Sequence, residues 1–310
     1  MTELFPEYTQ KEKQLKPFLK WAGGKTQLLN DINKSIPERI LNSKKFVFIE
    51  PFVGSGAVLF HMLNSMSSKI EKAVINDINT DLINAYRTIQ NEPAKLLDHL
   101  DSMSNKYQSL NDEDRQSYFL EKREEFNFQN IKVDKKSALL IFLNRTCFNG
   151  LYRVNSKGYF NVPYGRYKNP KIHNPGLILA LHKALKHVVI LNGDYKDTYK
   201  ERGEINLFYF DPPYKPLNKT SSFNSYAKNG FEDTDQIRLK EYCDKISESG
   251  DSFILSNSDV KNADSSNEFF DDLYAAYEIK RVKAKRNINS KANKRGEIFE
   301  LLVTNNNLVR

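Results

Sequence analysis

Four consecutive residues near the middle of the chain, Asp211, Pro212, Pro213 and Tyr214, combine groups that could do chemistry. They follow the apolar run at 206–210, which predicts a buried strand. Because proline cannot donate to a sheet ladder and disfavours a helix before it, the strand is expected to end at the aspartate. The two prolines then fix the backbone, so that one carboxylate, one carbonyl and one aromatic ring would face a ligand. A stiff exit from the strand is the structural alternative.

A glycine-rich turn follows another strand-like run, at 46–50. Gly54 and Gly56 would let a ligand approach backbone N–H groups at the start of a helix. Asp77 ends the next predicted strand, 23 residues after Gly54, where a carboxylate suits the two hydroxyls of a ribose. The third glycine of a dinucleotide fingerprint is replaced by Leu59, and a tight turn beside a solvated aspartate is the alternative interpretation.

Acidic residues stand at the ends of four predicted strands, at Glu50, Asp77, Asp194 and Asp211. Ligands of doubly wound sheets bind outside the carboxyl ends of the strands, so these four side chains are expected at one crevice. Four such strand ends are a more specific signal than any one of them alone.

The order of helix and strand patterns indicates the fold class. Residues 46–90 follow the order strand, turn, helix, strand, helix, which begins a doubly wound parallel sheet, whereas 92–143 are charged and helical. Further strands are predicted at 187–191, 206–210, 252–255, 276–283 and 297–303, and further helices at 30–36 and 234–248. We therefore predict an α/β fold with a helical and hairpin insertion. Residues 1–90 and 185–310 would form the catalytic, cofactor-binding domain, and 91–184 the inserted target-recognition domain.

The composition narrows the class of partner. Across 310 residues, 47 Lys and Arg exceed 39 Asp and Glu, which gives a net charge of +8 and a pI near 9.1. That balance favours an acidic partner, nucleic acid before a membrane surface. The two cysteines and five histidines show neither a disulfide framework nor metal-ligand spacing. Without a signal-peptide pattern or an apolar stretch near ~20 residues, we expect a cytoplasmic protein that binds no membrane and no metal.

The segment at 145–171, called the basic segment below, contains six basic and six aromatic residues and no acid. Residues 151–162 within it predict a β-hairpin with Gly158 in its turn. Such a hairpin can enter a major groove, where arginine donates two hydrogen bonds to guanine, and an exposed loop of ordinary charge is the alternative. A second stretch, 280–295, has eight basic residues and no acid, and it predicts either phosphate contacts or a solvated loop.

Five motifs give the chain a specific resemblance, namely KWAGGK (20–25), EPFVGSGAV (50–58), INDIN (75–79), GDY (193–195) and DPPY (211–214). In this order they resemble the Dam-type family of DNA adenine N6-methyltransferases over 18–304, with the GATC-specific, DpnM-like members most similar. The resemblance implies a methyltransferase sheet, S-adenosylmethionine as cofactor, and methyl transfer to N6 of an adenine flipped out of double-stranded DNA. It favours GATC as the site and allows for a cognate restriction endonuclease acting on that site.

The family pattern implies which residues hold the cofactor. It places seven residues around the methionine end, namely Trp21, Gly23, Lys25, Pro51, Phe52, Gly54 and Gly56. Asp77 would hold the ribose, and Asp194 and Tyr195 would flank the adenine of the cofactor. Asp211 would lie where cofactor and substrate meet.

The same pattern implies the DNA contacts, which all lie in the basic segment. Arg153 matches the arginine that contacts guanine in GATC-specific members, Leu151 and Pro163 match apolar residues near the thymine methyl group, and Asn149 matches a residue at the gap left by the flipped base. The implied set is completed by Asn155, Lys157 and Arg166.

The resemblance also gives the tetrapeptide a chemical role. The N6 amine of adenine is a weak nucleophile because its lone pair is delocalised into the ring. Asp211 and the carbonyl of Pro212 would accept its two N–H groups and localise the lone pair for one direct displacement, while Pro213 keeps the frame rigid and Tyr214 stacks on the base. The alternatives are a related N-methyltransferase acting on another DNA site or on RNA, and a DNA-binding regulator, which would predict a disrupted tetrapeptide.

Overall fold

The computed structural model describes residues 14–21, 23–128, 130–214, 231–285 and 297–307. The chain divides into two compact units. The first comprises Met1–Gly24, Gly54–Ser65 and Asp77–Gly193, and the second comprises Lys25–Val53, Met66–Asn76 and Asp194–Arg310. These division points differ from the predicted boundaries near 90 and 185, and the predicted division into a catalytic and a target-recognition domain stays a prediction.

The strands are β1 (Phe46–Glu50), β2 (Ile70–Asp77), β3 (Val188–Asn192), β4 (Asn206–Phe210), β5 (Ser252–Ser258), β6 (Glu278–Lys285) and β7 (Glu297–Thr304). They form one sheet of seven strands in the order β3-β2-β1-β4-β5-β7-β6. β1 is parallel to β2 and β4, and β4 is parallel to β5. β7 is antiparallel to both β5 and β6. The predicted α/β fold class is confirmed, and each strand overlaps the range predicted for it.

The central strands of the second unit explain why their sequences are continuous apolar runs. β1, β4 and β5 are buried along their whole length. Strands of a parallel sheet that are covered on both faces lose the alternation of polar and apolar residues. Ile49 of β1 is paired with Phe208 of β4, and Phe208 is in turn paired with Phe253 of β5. This register aligns the carboxyl ends of the three strands.

The α-helices of the first unit are α3 (Ala57–Ser65), α4 (Thr80–Asn91), α5 (Pro93–Ser109), α6 (Asp112–Asn127), α7 (Val133–Thr146) and α8 (Pro175–Leu185). Those of the second unit are α1 (Leu29–Lys34), α2 (Glu38–Asn42), α9 (Asp233–Glu248) and α10 (Phe269–Leu273). The charged region at 92–143 is helical as predicted, in three separate helices. Asn79 and Asn111 cap α4 and α6 by accepting a backbone N–H at the start of each helix.

The core of the first unit is built around α7. Leu139–Leu143 of this helix are fully buried, and the Phe142 ring lies edge-on to Tyr107 of α5 at 5.7 Å between centroids. Thr88 of α4 and Ser137 of α7 share a hydrogen bond of 2.9 Å inside the same core. The helix therefore provides a rigid base for the basic segment, which follows it in the chain.

The hairpin predicted at 151–162 is correct as a chain reversal but wrong as a pair of strands. The Asn155 N–H donates to the Tyr159 carbonyl at 2.9 Å, and Gly158 lies in the turn at a φ of 81°. Within the described residues the pairing in this stretch amounts to an isolated bridge between Val154 and Phe160. The Phe160 N–H instead donates to the Asn127 side chain at 2.8 Å, which also donates back to the Phe160 carbonyl. The Asn127 side chain therefore makes the hydrogen bonds to the Phe160 main chain that a neighbouring strand would otherwise make.

Two further expectations concern the remainder of the chain. Only 280–285 of the second basic stretch belong to the described residues, as part of β6, and the prediction for 286–295 lies outside them. Across the described ranges, no helix has both the length and the apolar character that a membrane crossing requires. In the same ranges, no group of three or more His, Cys, Asp and Glu residues could hold a metal ion.

Candidate active site

Asp211 lies directly after β4, as the proline pair predicted. The strand order reverses beside this position, because β2 lies on one side of β1 and β4 lies on the other. In open α/β sheets such a reversal opens a crevice at the carboxyl ends of the strands, where ligands bind. The tetrapeptide that begins at Asp211 therefore stands at the position of this sheet where a binding site is expected.

The Asp211 carboxylate is held by an ion pair and a hydroxyl. Lys25 Nζ is 2.7 Å from Asp211 Oδ1, and Ser256 Oγ of β5 donates to the same oxygen at 3.4 Å. The lysine begins a short 3-10 helix, Lys25–Gln27, and is 3% exposed, against 21% for Asp211. The family motif places Lys25 at the methionine end of the cofactor, and that role stays a prediction. The contact between Lys25 and Asp211 is an additional finding of the structure.

Burial controls the ionisation of Asp211. Loss of solvent raises its pKa from the ordinary 3.8 to about 6, although the nearby Lys25 ammonium lowers it and the Glu300 carboxylate raises it again. The group is therefore ionised at neutral pH but close enough to its pKa to bind a proton readily.

Tyr214 joins the same set of charged groups. Its hydroxyl donates to Glu300 Oε2 at 2.8 Å and accepts from Lys25 Nζ. The Lys25 ammonium also lies 4.5 Å from the centroid of the Tyr214 ring. Glu300 belongs to β7 and has no motif around it, so sequence reasoning did not find it. Lys25, Asp211, Tyr214 and Glu300 are called the Asp211 cluster below.

Two amide side chains support the double proline. Gln236 of α9 reaches the Pro213 carbonyl at 3.5 Å, and Asn257 of β5 donates to the Gln236 oxygen at 3.1 Å. Both amides are fully buried. The backbone that carries the Pro212 carbonyl is therefore held both by its own rings and by a hydrogen-bonded support.

Two other predicted cofactor residues of the second unit, Phe52 and Tyr195, contact each other. Their ring centroids are 5.1 Å apart. Asp194 caps the 3-10 helix Tyr195–Glu201 with one oxygen and accepts from Arg238 with the other at 2.6 Å. Arg238 was not predicted, because it lies on the charged face of α9, where an arginine is ordinary. The remaining predicted residue of this loop, Pro51, accepts a hydrogen bond from Asn76 at 3.0 Å.

In the first unit, Asp77 closes the glycine turn. Its two oxygens accept the Gly54 N–H at 3.1 Å and the Asn79 N–H at 2.9 Å. Burial raises the pKa of this carboxyl, and those backbone donors oppose the rise. The glycine turn and the end of β2 are therefore in direct contact, and the role of Asp77 at the ribose stays a prediction.

The glycines of this turn are required by close packing. Gly54 has a φ of 47°, and a Cβ there would lie 3.1 Å from Cδ1 of Trp21. Gly56 has a φ of 73°, and a Cβ there would lie 2.5 Å from the Tyr86 hydroxyl. Trp21 is in turn stacked on Tyr152, with centroids 5.2 Å apart. Gly23, two residues after the tryptophan, also has a positive φ, of 79°.

The start of the basic segment presents two exposed residues on a clamped turn. Phe148 is 52% exposed, and Asn149 beside it is exposed in a left-handed conformation with a φ of 56°. The Phe148 N–H donates to the Pro163 carbonyl at 2.8 Å, and the Asn144 amide donates to the Gly150 carbonyl at 2.9 Å. Phe148 was counted among the aromatic residues of the segment but was not predicted as a contact, although its exposure singles it out.

The predicted DNA-contacting residues in the hairpin are mostly on its surface. Arg153 is exposed and donates to Asn161 through Nε at 2.8 Å and Nη2 at 3.1 Å. Asn155 instead stabilises the turn, since its Oδ1 accepts the N–H groups of Lys157 and Tyr159. Three more predicted residues, Lys157, Pro163 and Arg166, are exposed, and Leu151 is half-buried. Arg166 also has a left-handed backbone, with a φ of 54°.

The sequence profile described as "D12 class N6 adenine-specific DNA methyltransferase" matches residues 21–288. The chain belongs to this class. The methyltransferase therefore acts on adenine in DNA, and the Dam-type resemblance drawn from its motifs is confirmed.

Several curated proteins resemble this methyltransferase over almost their whole length. "Type II methyltransferase M.MjaIII" of Methanocaldococcus jannaschii is 47% identical, over 94% of this chain and 99% of that protein. "Type II methyltransferase M1.LlaDCHI" of Lactococcus lactis subsp. cremoris is 39% identical, over 96% and 98%. A "DNA adenine methylase" of Haemophilus influenzae is 35% identical, over 93% and 92%.

The raised pKa of Asp211 gives the methyltransferase an expected pH dependence. If the Asp211 carboxylate accepts the substrate amine, as the motif implies, it must be ionised, so we expect kcat/KM to fall as the pH drops through about 6, the value to which burial raises the pKa of Asp211. Steady-state rates from about pH 3.5 to 8, with DNA affinity measured at each pH as a control, check this. An acid limb centred near the ordinary carboxyl value would show that the Asp211 carboxylate is not the titrating group.

Proposed function

We propose that this methyltransferase transfers the methyl group of S-adenosylmethionine to N6 of an adenine flipped out of duplex DNA, at the sequence GATC. The observation that carries the proposal is the position of the buried Asp211 and its double proline at the strand-order reversal beside β1. Membership of the adenine-specific DNA methyltransferase class supports the choice of target atom.

The residues of the tetrapeptide would act by position and charge. Asp211 and the Pro212 carbonyl accept the two N–H groups of the adenine amine, which localises its lone pair. The amine loses a proton during the transfer, and a carboxylate whose pKa lies near 6 can take it up for release to solvent. The buried Gln236 amide at the Pro213 carbonyl keeps these acceptors in place, so little reorganisation is needed when the base arrives.

The donor set suits S-adenosylmethionine, which supplies an electrophilic methyl group on a positively charged sulfonium. A carboxylate has about four lone-pair sites, and the three backbone N–H groups at Asp77, those of Gly54, Ile78 and Asn79, leave an acceptor position for the ribose hydroxyls. In the second unit, Phe52 and Tyr195 provide apolar surface for the adenine of the cofactor, and Asp194 provides a polar acceptor. The two carboxylates of the Asp211 cluster attract the sulfonium charge.

Asp77→Ala is expected to weaken S-adenosylmethionine binding by about 10- to 100-fold, because a hydrogen bond to a charged group is worth roughly 1.5–3 kcal/mol. Calorimetric titration measures the dissociation constant directly. Asp81→Ala, which removes a carboxylate from the first turn of α4, four residues after Asp77, is the matched control and should leave binding within about three-fold. If both variants bind like the unmodified protein, Asp77 serves only to close the Gly54 turn.

DNA recognition is assigned to the basic segment. Arg153 would contact guanine, Leu151 and Pro163 the thymine methyl group, and the phosphates would be held by Lys157 and Arg166. The exposed Phe148 and Asn149 are suited to filling the gap left by a flipped base, since apolar side chains can occupy a space between unstacked bases. In this assignment 91–184 form the target-recognition domain, and 1–90 with 185–310 form the catalytic domain.

One experiment tests the substrate, the site and the product together. The purified protein is incubated with S-adenosylmethionine carrying a labelled methyl group and with duplexes that contain GATC, each of its single-base variants, or the matching RNA. Label at N6 of adenine in GATC duplexes alone is expected. Equal transfer to a variant duplex would show that GATC is not the specific site, and equal transfer to RNA would show that DNA is not the specific substrate. Tight DNA binding without transfer would indicate a regulator.

Relatives named Type II methyltransferases also suggest a partner. We infer that a restriction endonuclease cutting at the same site belongs with this protein. DNA methylated by the protein should then resist that class of endonuclease, and digestion of the methylated DNA at the unmethylated rate would contradict the pairing.

A further inference from the structure

Glu300 is a partly buried acidic residue that lies outside all of the sequence motifs. Its side chain is 13% exposed and comes from β7, where its backbone is paired with Ser258 of β5 and Val282 of β6. Both neighbouring strands therefore fix its position. The carboxylate meets two members of the Asp211 cluster, the Tyr214 hydroxyl at 2.8 Å and the Lys25 ammonium at 3.8 Å.

The charges of the cluster do not cancel. Asp211 and Glu300 carry two negative charges when ionised, and Lys25 carries one positive charge, so the four residues sum to one negative charge. A net charge on a partly buried set of side chains is costly to keep away from solvent, and a ligand of opposite sign lowers that cost. The sulfonium of the proposed methyl donor carries such a positive charge. Without Glu300 the cluster would be neutral, so Glu300 supplies the negative charge that balances the sulfonium.

Lys25 lies between two carboxylates at unequal distances, 2.7 Å from Asp211 and 3.8 Å from Glu300. An adenine amine that donates to Asp211 must compete with the lysine for the same carboxylate. A displaced ammonium still needs a counter-charge in this buried position. Glu300 offers it a second acceptor, which a small rotation of the lysine side chain can reach.

We propose that Glu300 is a positioning residue of the methyl transfer: it anchors the Tyr214 hydroxyl and accepts Lys25 when the substrate amine binds Asp211, and its charge favours a cationic methyl donor. The inference rests on the proposed function, since it assigns Glu300 a part in the same reaction. Glu300 touches neither the amine nor the methyl group in this scheme and acts through its neighbours.

The test uses Glu300→Gln, which keeps the size and one acceptor oxygen but removes the charge. Affinities for S-adenosylmethionine and for S-adenosylhomocysteine, whose sulfur carries no charge, are measured by calorimetry without DNA. The ratio of the two affinities is expected to shift by about five-fold or more against the sulfonium, because one charge has left a partly buried site. An unchanged ratio would overturn the electrostatic part of the proposal.

The second readout is the single-turnover rate as a function of pH. We expect the rate at pH 7.5 to fall by about ten-fold or more in Glu300→Gln, while DNA affinity is retained. The acid limb should also move to lower pH, because the Glu300 carboxylate raises the pKa of Asp211 and the variant lacks that charge, while Lys25, Tyr214, Tyr209 and Ser256 still face Asp211. A purely structural role would leave the limb where it is in the unmodified protein.

Glu278→Gln on β6 is the matched control, because Glu278 also pairs with a lysine, Lys280, at 3.0 Å and contacts β7 through Thr304. Its rate should stay within about two-fold of the unmodified protein. If Glu300→Gln does not fold, Glu300→Asp is tested instead. Its ratio of the two cofactor affinities should equal that of the unmodified protein, because the charge is kept, but its transfer rate should still fall. A rate equal to that of the unmodified protein would refute the positioning role. Failure of the unmodified protein to methylate DNA would instead refute the proposed function.

Discussion

Asp211→Asn is expected to reduce single-turnover methyl transfer by at least about 100-fold, which corresponds to ~2.7 kcal/mol of lost transition-state stabilisation. The amide keeps the size of the side chain but replaces one acceptor oxygen with a donor, so that one N–H of the adenine amine meets another N–H. It also removes the ionic partner that lies 2.7 Å from Lys25. The Glu300 carboxylate remains near the lysine, so the variant should fold.

DNA affinity should hardly change in this variant, because the basic segment is untouched. Fluorescence anisotropy with a GATC duplex measures that affinity, and labelled methyl incorporation measures the transfer. Asp244→Asn on α9 is the control, since Asp244 also pairs with a lysine, Lys240, at 2.7 Å. If Asp211→Asn retained more than about a tenth of the rate, a loss below ~1.4 kcal/mol, the carboxylate would not be the acceptor of the amine.

The second large effect is expected for Arg153→Ala, in sequence discrimination. The guanidinium already donates to both the side chain and the carbonyl of Asn161, which fixes its plane and leaves other N–H groups of its five donors for a base. Loss of a guanine contact costs about 1–3 kcal/mol at one base pair. Methylation of the preferred site should fall, while sites altered at that pair fall little, so their ratio drops by about ten-fold or more.

Rates on duplexes carrying every single-base variant of GATC measure this ratio. Lys157→Ala is the informative comparison, because Lys157 is exposed in the turn of the same hairpin and is assigned to phosphate. Its loss should weaken all sequences alike and reduce the dependence of binding on salt. A uniform loss in Arg153→Ala would assign that residue to phosphate as well, and would remove the main support for GATC.

Local sequence patterns were sufficient for the strands and for the residues that end them. The central strands β1, β4 and β5 are short runs rich in apolar residues, and Pro212 and Gly54 follow the ends of β4 and β1. These features depend on neighbouring residues, so they can be recognised in a single sequence. The closure of the Gly54 turn by Asp77 follows from the pairing of adjacent parallel strands and was predictable for the same reason.

Features that depend on distant parts of the chain were not predictable. Glu300 meets Tyr214 across 86 positions of sequence, and its inward direction is set by the register of β7, which no local pattern encodes. Arg238 binds Asp194 because α9 packs with one particular face inward. The hairpin strands were wrong because Asn127, 33 positions earlier, supplies the partners of Phe160. Phe148 was not predicted as a contact because only the structure shows that its side chain is exposed to solvent.

The frame that presents the basic segment is made largely of hydrogen bonds to main-chain carbonyls. The buried Asn144 amide binds the carbonyls of Lys20 and Gly150, and the Arg115 side chain binds those of Tyr107 and Lys168. A main-chain carbonyl is present whatever side chain the residue carries. Substitutions at the exposed positions can therefore accumulate without loss of the frame, so an enzyme built in this way could acquire a new target sequence by drift at a few surface residues while its catalytic chemistry is inherited unchanged.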